Sequence, residues 1–317
     1  MNLLVTGGAG FIGSNFIRMM LAKYPGIEIT NLDKLTYAGN LENLKDISIP
    51  NYNFVQGDIC DPEIVMQAME GVDTVVHFAA ESHVDRSIKD SSVFVVTNVV
   101  GTNNLLKCAM DCDIQKFIHV STDEVYGSIR EGSFSETDYL NPSSPYSSSK
   151  AGSDLLAMSY YNTFGLPVTI TRCTNNFGPY QYPEKLIPLF ITNLMDGKQV
   201  PVYGTGLNIR DWIYVEDHCS GIDFVMQHGK AGEIYNIGGG NELTNLEITQ
   251  RILKALGKDE SMIRYVEDRK GHDFRYSLDC SKLKKMGWKP QYGFDTALEA
   301  TIQWYIDNRW WWEPLKC

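Results

Sequence analysis

The feature that most constrains this chain is a glycine-rich segment near its start, GGAGFIG at residues 7–13. It lies between an apolar segment predicted to be a strand, residues 2–6, and an amphipathic segment predicted to be a helix, residues 11–23. Glycines at such a junction let backbone amides at a helix N-terminus approach a pyrophosphate. Asp33 ends the next predicted strand, 20 positions after Gly13. Its carboxylate would accept hydrogen bonds from an adenosine ribose and repel a 2′-phosphate, which predicts a dinucleotide site that prefers NAD to NADP.

Apolar segments and amphipathic segments alternate beyond this turn. Strands are predicted at 28–33, 52–57, 74–79, 116–121 and 167–172, and helices at 62–69, 93–110 and 146–164. The alternation predicts an α/β fold of Rossmann type, with a doubly wound parallel sheet and helices on both faces. From about residue 174, glycine, proline and aromatic residues become frequent, and TNLE at 244–247 is a helix capping box. We therefore expect a cofactor-binding domain with the catalytic residues at 1–174 and a smaller α/β substrate lobe at 175–317, with some interleaving of segments.

Composition excludes several classes of protein. The 317 residues carry a formal charge of −11, which argues against nucleic acid or an anionic membrane as a partner. The longest apolar runs are too short to span a membrane, and no signal-peptide pattern is present at the N-terminus. Seven cysteines, an odd number, predict reduced thiols and a cytoplasmic location. The six histidines lack the common metal-binding spacings, so we predict no metal site.

Two residues four apart supply a candidate base. Tyr146 and Lys150 open a predicted helix and lie on one face of it. A lysine beside a phenol stabilises the phenolate and lowers its pKa, which would make the tyrosine a base near neutral pH. The segment STDE at 121–124 ends the predicted fifth strand, and the carboxyl ends of strands are where such a sheet binds its ligand.

These motifs resemble the extended short-chain dehydrogenase/reductases and, within them, the NAD-dependent dTDP-glucose 4,6-dehydratase subfamily. The resemblance covers nearly the whole chain and rests on TGGAGFIG, DKLTYAGN, HFAAESHVDRS, STDEVYG, PYSSSKAGSD, NNFGPYQYPEKLIP, RDWIYVEDH, YNIGG and DRKGHD. It implies conversion of dTDP-glucose to dTDP-4-keto-6-deoxyglucose and water, in a deoxysugar pathway such as dTDP-rhamnose synthesis. Relatives that only epimerise C4 typically lack the acid pair Asp123-Glu124, and GDP-mannose dehydratases keep the glutamate without the aspartate.

The resemblance also implies a role for each catalytic residue. Tyr146 is the base at the C4 hydroxyl, assisted by Lys150, and Thr122 hydrogen-bonds the C4 oxygen. Oxidation of C4 to a ketone acidifies the C5 proton, which Glu124 removes while Asp123 protonates the departing C6 oxygen. Two carboxyls can divide these tasks if their environments separate their pKa values.

The binding residues fall into two sets, most of them implied by the resemblance. The predicted NAD contacts are Gly7, Gly10, Phe11, Ile12, Gly13, Asp33, Lys34, Leu35, Thr36, Asp58, Ile59, Phe78, Ala79, Ala80, Glu81, Ser82, Thr97, Tyr146, Lys150 and Asn176. The predicted contacts with the nucleotide-sugar are Ser82, Thr122, Asn175, Lys185, Leu186, Pro201, Val202, Tyr203, Arg210, Asn245, Arg269 and His272. Arg210 and Arg269 are assigned to the diphosphate because a guanidinium matches phosphate geometry.

Several alternatives stay open at this point. A UDP-glucose 4,6-dehydratase differs in substrate by one methyl group, and an NAD-dependent sugar-nucleotide 4-epimerase would use the same cofactor. A non-catalytic NAD-binding protein would keep only the fold, although such proteins usually lose the tyrosine or the lysine. Relatives form homodimers through the helices near 93–110 and 146–164, so we expect a homodimer here. The run of tryptophans at 310–312 is interpreted as packing.

Overall fold

A seven-stranded parallel sheet forms the centre of the molecule in the computed structural model, which describes residues 1–316. The strands of the chain are β1 (Asn2–Thr6), β2 (Glu28–Asp33), β3 (Tyr52–Gln56), β4 (Thr74–His77), β5 (Lys116–Thr122), β6 (Val168–Cys173), β7 (Asn175–Phe177), β8 (Val200–Tyr203), β9 (Ile209–Tyr214), β10 (Ile234–Ile237), β11 (Glu242–Thr244) and β12 (Ile263–Val266). The central sheet has the order β10-β6-β5-β4-β1-β2-β3, and every neighbouring pair in it is parallel. The predicted doubly wound α/β fold is confirmed.

Helices cover both faces of this sheet. They are α1 (Phe11–Lys23), α2 (Pro62–Ala68), α3 (Val84–Lys89), α4 (Ser92–Phe94), a π-helical segment (Val95–Gly101), α5 (Thr102–Asp111), α6 (Pro145–Phe164), α7 (Leu186–Met195), α8 (Val215–His228), α9 (Asn245–Ala255), α10 (Ser281–Met286), α11 (Phe294–Asp307) and α12 (Arg309–Trp312). Side chains of α1 and α8 share one buried apolar cluster with alternate residues of the central strands, while α2, α5 and α6 share the other. This two-sided burial explains why the central strands read as nearly continuous apolar runs.

The predicted helix at 93–110 differs from the observed one. Its middle turns form a π-helix over Val95–Gly101, between α4 and α5. The buried Asn98 lies in this segment, where its side chain exchanges two hydrogen bonds with the backbone of Glu81 and donates a third to Ser149 Oγ at 2.9 Å. A π segment accommodates an extra residue in the helical turn, and here it lies against the loop after β4.

The C-terminal part of the chain adds two small sheets. One has the order β11-β9-β7, and the other pairs β12 with β8. The capping box predicted at the start of α9 is confirmed, since Glu247 N donates to Thr244 Oγ1 at 3.1 Å and Thr244 N donates to Glu247 Oε2 at 2.7 Å. The strand β10 and the helix α8, which packs on α1, belong to the central layers although both follow residue 175.

The tryptophan run packs as expected at two of its three positions. Trp311 and Trp312 are buried, and their ring nitrogens donate at 2.8 Å to Asn43 Oδ1 and to the carbonyl of Tyr305. Trp310 is half-exposed beneath the ammonium of Lys45.

Among residues 1–316, no helix combines the length and the apolar character that a membrane crossing requires. Six cysteines are free thiols, and the seventh, Cys317, lies outside the described residues.

Candidate active site

The carboxyl ends of the central strands open into a cavity of about 480 Å³. Residues from the C-terminal part of the chain, including the start of α7 and β8, form its other wall. Every catalytic, cofactor and substrate residue predicted from the sequence lines this cavity, with the exception of Leu35. Leu35 adopts a left-handed backbone (φ +56°) and donates its amide to Asp33 Oδ1 at 2.8 Å, so it supports the wall of the cavity. Its contact with NAD stays a prediction.

Two positions of the glycine turn, Gly7 and Gly13, are too close to other backbone atoms to accept a side chain. Gly7 has φ +73°, and a Cβ there would lie 2.6 Å from the amide nitrogen of Ala79. A Cβ on Gly13 would lie 2.4 Å from the carbonyl oxygen of Gly7. Gly10 is the N-cap of α1, and no side chain caps that helix. The free amides of the first turn therefore face the cavity, which fits the pyrophosphate of a dinucleotide.

Asp33 is held rigidly beside this turn. Its Oδ2 accepts a hydrogen bond from Ala9 N at 2.9 Å, and its Oδ1 accepts the bond from Leu35. Burial raises the pKa of the Asp33 carboxyl, and the two amides act in the opposite direction. The neighbouring cation, Lys34, is paired with Asp58 at 2.6 Å. A fixed acidic oxygen beside a neutralised lysine suits ribose hydroxyls and disfavours a 2′-phosphate.

Tyr146 and Lys150 lie in the first two turns of α6, and both are buried. Lys150 Nζ donates to the carbonyl of Val120 at 2.9 Å. The pKa of Tyr146 is held well above its usual value by burial first and by the charge of Glu124 second, whereas a hydrogen bond with Thr122 lowers it. The pKa of the phenol is therefore raised overall in the protein without ligands, and the lowering of that pKa by Lys150 stays a prediction. Desolvation of the phenol dominates, and the ammonium is engaged by a backbone carbonyl.

The acid pair follows directly at the end of β5. Thr122 caps a short 3-10 turn formed by Asp123–Tyr126, and its Oγ1 accepts a hydrogen bond from Glu124 N at 3.2 Å. The same hydroxyl donates to Asp123 Oδ1 at 3.2 Å. Asp123 Oδ2 is buried and has no hydrogen-bond partner among the described residues. An unpaired carboxyl oxygen in a cavity wall is available to a ligand, and it is costly without one.

The two acids lie in different electrostatic environments. Burial holds the pKa of Asp123 well above its ordinary value, and the charge of Glu124 raises it further. Burial also raises the pKa of Glu124, but three cations, Lys185, Arg269 and Arg210, act to lower it. Both pKa values are therefore raised, that of Asp123 the more strongly, and such unequal environments are what an acid and base pair requires.

Three cations reach the cavity from separate segments. Lys185, just before α7, donates to the carbonyl of Ser82 at 2.9 Å. Arg210, in β9, is buried, donates to the carbonyl of Asp273 at 2.9 Å and stacks on the ring of Tyr276. Arg269 lies in a loop, and its Nε is buried without a hydrogen-bond partner among residues 1–316. Converging cations with a free guanidinium donor suit a diphosphate.

Sequence reasoning missed several residues of the site. Cys173 and Tyr276 line the cavity. Glu184 also lines it and accepts a hydrogen bond from the Tyr37 hydroxyl at 2.7 Å. Asn98 lies behind the cavity wall and ties the loop after β4 to α6. Only Asn98 had a signal in the sequence, because it is a single amide in the apolar run VVTNVV. The others meet the site through long-range folding that no local pattern reports.

Comparisons with known proteins agree with this geometry. A family model described as GDP-mannose 4,6 dehydratase matches residues 4–301. A dTDP-glucose 4,6-dehydratase of Streptomyces niveus is 56% identical over 322 residues, covering 100% of this chain and 96% of the relative. The crystal structure of the dTDP-glucose 4,6-dehydratase DesIV from Streptomyces venezuelae, solved with NAD bound, superposes with a TM-score of 0.98 at 57% identity over 100% of both chains.

The fold is also similar to that of an epimerase. A UDP-glucose 4-epimerase of Thermus thermophilus, in complex with NAD, has a TM-score of 0.90 at 30% identity, covering 96% of this chain and 99% of the other. The identity with the dehydratases is nearly twice as high. The chain therefore belongs to the GDP-mannose 4,6 dehydratase family and, within it, to the dTDP-glucose 4,6-dehydratases.

Proposed function

We propose that this chain dehydrates dTDP-glucose to dTDP-4-keto-6-deoxyglucose and water with NAD as its resident cofactor. The observation that carries the proposal is the pair Asp123 and Glu124, which lie in unequal electrostatic environments in the cavity that also holds Tyr146. A 4-epimerase needs no acid and base for elimination across C5 and C6. The site provides both, and the product would enter a deoxysugar pathway such as that of dTDP-rhamnose.

The residues predicted to bind the cofactor fit two parts of NAD, the pyrophosphate and the adenosine ribose. The glycine turn leaves space for a pyrophosphate, and Asp33 presents a fixed carboxylate for a ribose. When bound, the nicotinamide takes the hydride from C4 and gives it back to C6, so no outside oxidant is consumed. The remaining chemistry consists of proton transfers, which fall to the side chains at the ends of β5 and at the start of α6.

The first proton transfer is assigned to Tyr146. Its phenolate accepts the C4 hydroxyl proton, and Thr122, which lines the same cavity and lowers the pKa of that phenol, orients the C4 oxygen. Because burial and Glu124 raise the pKa of the phenol in the protein without ligands, the base forms only when positive charge is present beside it. Lys150, fixed on the same face of the helix, supplies one such charge.

The elimination is assigned to the two carboxyls. Glu124, whose pKa is raised by burial and lowered by the surrounding cations, removes the C5 proton once C4 is a ketone. Asp123, whose buried Oδ2 has no protein partner, carries the proton that the leaving C6 oxygen needs. Adjacent residues at a strand end point in different directions, so the two can reach different atoms of one sugar.

The nucleotide is assigned to the C-terminal residues that line the cavity. Arg210 and Arg269 bind the diphosphate, and Lys185 lies beside them. A thymine methyl group would contribute ~1–3 kcal/mol over uracil in an apolar pocket, so the preference for dTDP over UDP is expected to be one of degree. The division into a cofactor domain at 1–174 and a substrate lobe at 175–317 is part of this proposal, with α8 and β10 returning to the central layers.

We further propose a cytoplasmic homodimer. Its interface would use the faces of the π-helical segment and α6, where large apolar side chains are exposed. These include Val95, Val96, Val100 and Leu155, each 49–63% exposed. Several large apolar side chains exposed on two helical segments that pack together are typical of an interface between subunits. Sedimentation of the purified protein tests this assembly.

The experiment that tests the function is incubation with dTDP-glucose and, separately, with UDP-glucose, followed by mass analysis of each product. The proposal predicts a product from dTDP-glucose that is lighter by one water and carries a keto group. A product of unchanged mass would favour the epimerase, and no turnover of either sugar would favour a non-catalytic NAD-binding protein. Higher kcat/KM with UDP-glucose than with dTDP-glucose would reassign the nucleotide.

A further inference from the structure

A buried charged cluster lies behind the catalytic lysine. Arg172 Nε, in β6, donates to Asp154 Oδ2 at 2.9 Å, and His119 Nε2, in β5, lies 3.3 Å from Asp154 Oδ1. The three residues are each at most 3% exposed. None of them is among the residues that line the cavity, so none can touch the sugar or the cofactor. A buried ion pair is not by itself evidence of stability, which raises the question of what this cluster does.

Asp154 lies one turn after Lys150 on α6 and therefore on the same side of the helix. The ammonium of Lys150 is buried, and it donates a hydrogen bond to a neutral carbonyl, Val120 O. A cation in such surroundings loses its proton unless a negative charge lies near. Burial lowers the pKa of Lys150, and the charge of Asp154 is the largest influence that raises it.

The other groups around Lys150 cannot provide that charge. His77 of β4 and His119 of β5 are kept neutral, since burial lowers both pKa values. Cys173 of β6 stays a thiol, because burial raises its pKa. On the helix itself, Tyr146 is neutral in the protein without ligands, as its pKa is also raised. The acids at the end of β5 act on Tyr146 and on the diphosphate cations, which leaves Asp154 as the anion behind the lysine.

We propose that Asp154 is a positioning residue for the reaction, which keeps Lys150 protonated while Arg172 and His119 hold the Asp154 carboxylate in place. This inference rests on the proposed function, in which Lys150 acts as a cation. Arg172 neutralises part of the carboxylate's charge, so the carboxylate stabilises the lysine without drawing it out of the site, while the neutral His119 lies against it. Arg172 is itself fixed by stacking on the ring of Tyr126. The pKa of Asp154 is lowered to about 2 by these partners, so its charge persists wherever the enzyme works.

The test removes the charge and keeps the shape. Asp154→Asn is compared with the wild type in single-turnover oxidation of dTDP-glucose, followed by absorbance of reduced nicotinamide from about pH 6 to about pH 10. The cationic form of Lys150 is lost as pH rises through its pKa, so removal of Asp154 should move the alkaline limb to lower pH. Above that limb the rate should fall by about tenfold or more, and it should recover on the acid side. KM for the sugar nucleotide should not change, because Asp154 does not line the cavity.

A matched variant separates charge from structural damage. Arg172→Gln removes the cation from the same cluster, so the alkaline limb should stay in place or move to higher pH. The proposal would be overturned if both variants lost the same fraction of the oxidation rate at every pH. It would also be overturned if the alkaline limbs of the two variants moved in the same direction. If Asp154→Asn does not fold, the double variant Asp154→Asn/Arg172→Gln, which buries no unpaired charge, takes its place. It should show the same shift to lower pH, and an unchanged limb would overturn the proposal.

A second readout does not depend on turnover. Carbon-13 NMR of lysine Cε, with the Lys150 signal assigned by its loss in Lys150→Arg, follows the titration of the ammonium directly. Lys150 should titrate at lower pH in Asp154→Asn than in the wild type, and an identical titration would contradict the inference. If the wild type failed to oxidise dTDP-glucose while this shift was present, the proposed function would fail and the role of Asp154 would stand.

Discussion

The two ends of the cavity recognise their ligands by different means. The cofactor end uses the backbone, with the glycine turn, the first amides of α1 and the single carboxylate of Asp33. The sugar end uses side-chain charges from distant segments, among them Glu124, Lys185 and Arg269. Backbone recognition depends on space, which one added methyl group can remove. Recognition by side-chain charges depends on the numbers of positive and negative groups, because each charge shifts the pKa values of its neighbours.

The largest effect is expected at the phenol that joins the two ends. Tyr146→Phe removes the C4 base but keeps the ring that packs against Phe94 at a centroid distance of 6.3 Å. Oxidation of C4 should slow by about 10²–10⁴-fold while the substrate still binds. Stopped-flow absorbance of reduced nicotinamide, with equilibrium binding of dTDP-glucose measured in parallel, checks both statements. A near-normal rate would show that another group is the base.

The next effect tests the claim that the cofactor end depends on space. In Gly13→Ala the new methyl group would lie 2.4 Å from the carbonyl oxygen of Gly7, a backbone atom that cannot easily move. We expect NAD affinity, measured by calorimetry, to fall by about tenfold or more. Gly26→Ala is the matched control, because a Cβ there meets nothing within 4 Å. Equal NAD affinity in the two variants would refute the steric argument.

A smaller effect is expected from the charge at the cofactor end. Asp33→Asn keeps one oxygen for the amide of Ala9 or Leu35 and removes the charge that disfavours a 2′-phosphate. Charge-assisted hydrogen bonds are about twice as strong as neutral ones, so NAD should bind about tenfold more weakly and NADP no worse than before. Direct titration with both cofactors measures the ratio. An unchanged preference for NAD would mean that Asp33 does not set it.

The smallest effect concerns the cap of α9, because Thr244 itself does not line the cavity. Thr244→Ala removes the cap of α9, whose hydroxyl accepts from Glu247 N at 3.1 Å. The free energy of unfolding should fall by ~1 kcal/mol while kcat stays the same. Urea unfolding at fixed NAD concentration checks the first value and a steady-state assay the second. A change in kcat without a change in stability would place the cap in the binding machinery.

The residues of the cofactor end follow from local patterns in the sequence, whereas those of the sugar end do not, and the reason is physical. The glycine turn, Asp33 and the pair Tyr146 and Lys150 are local patterns whose geometry follows from a strand end or from one helical turn. The left-handed backbone of Leu35 could not be predicted, because it is not visible in the residue type.

The sugar end depends on convergence over long distances in the chain. Lys185, Arg210 and Arg269 lie on separate segments, and the resemblance, rather than any spacing, brought them together. The raised pKa of Tyr146 was also not predictable, since it depends on burial and on Glu124, neither of which the helix spacing reports.

The central claim is that Glu124 and Asp123 divide base and acid between them. The most direct measurement is deuterium uptake at C5 from heavy water, compared in Glu124→Gln and Asp123→Asn. Both variants should still oxidise C4, because Tyr146 and Lys150 are untouched.

Glu124→Gln should accumulate reduced nicotinamide without C5 exchange, because an amide cannot take the proton. Asp123→Asn should keep C5 exchange but release water about 10²–10⁴-fold more slowly. Full exchange in Glu124→Gln with its loss in Asp123→Asn would reverse the two roles. Normal dehydration in both variants would contradict the account.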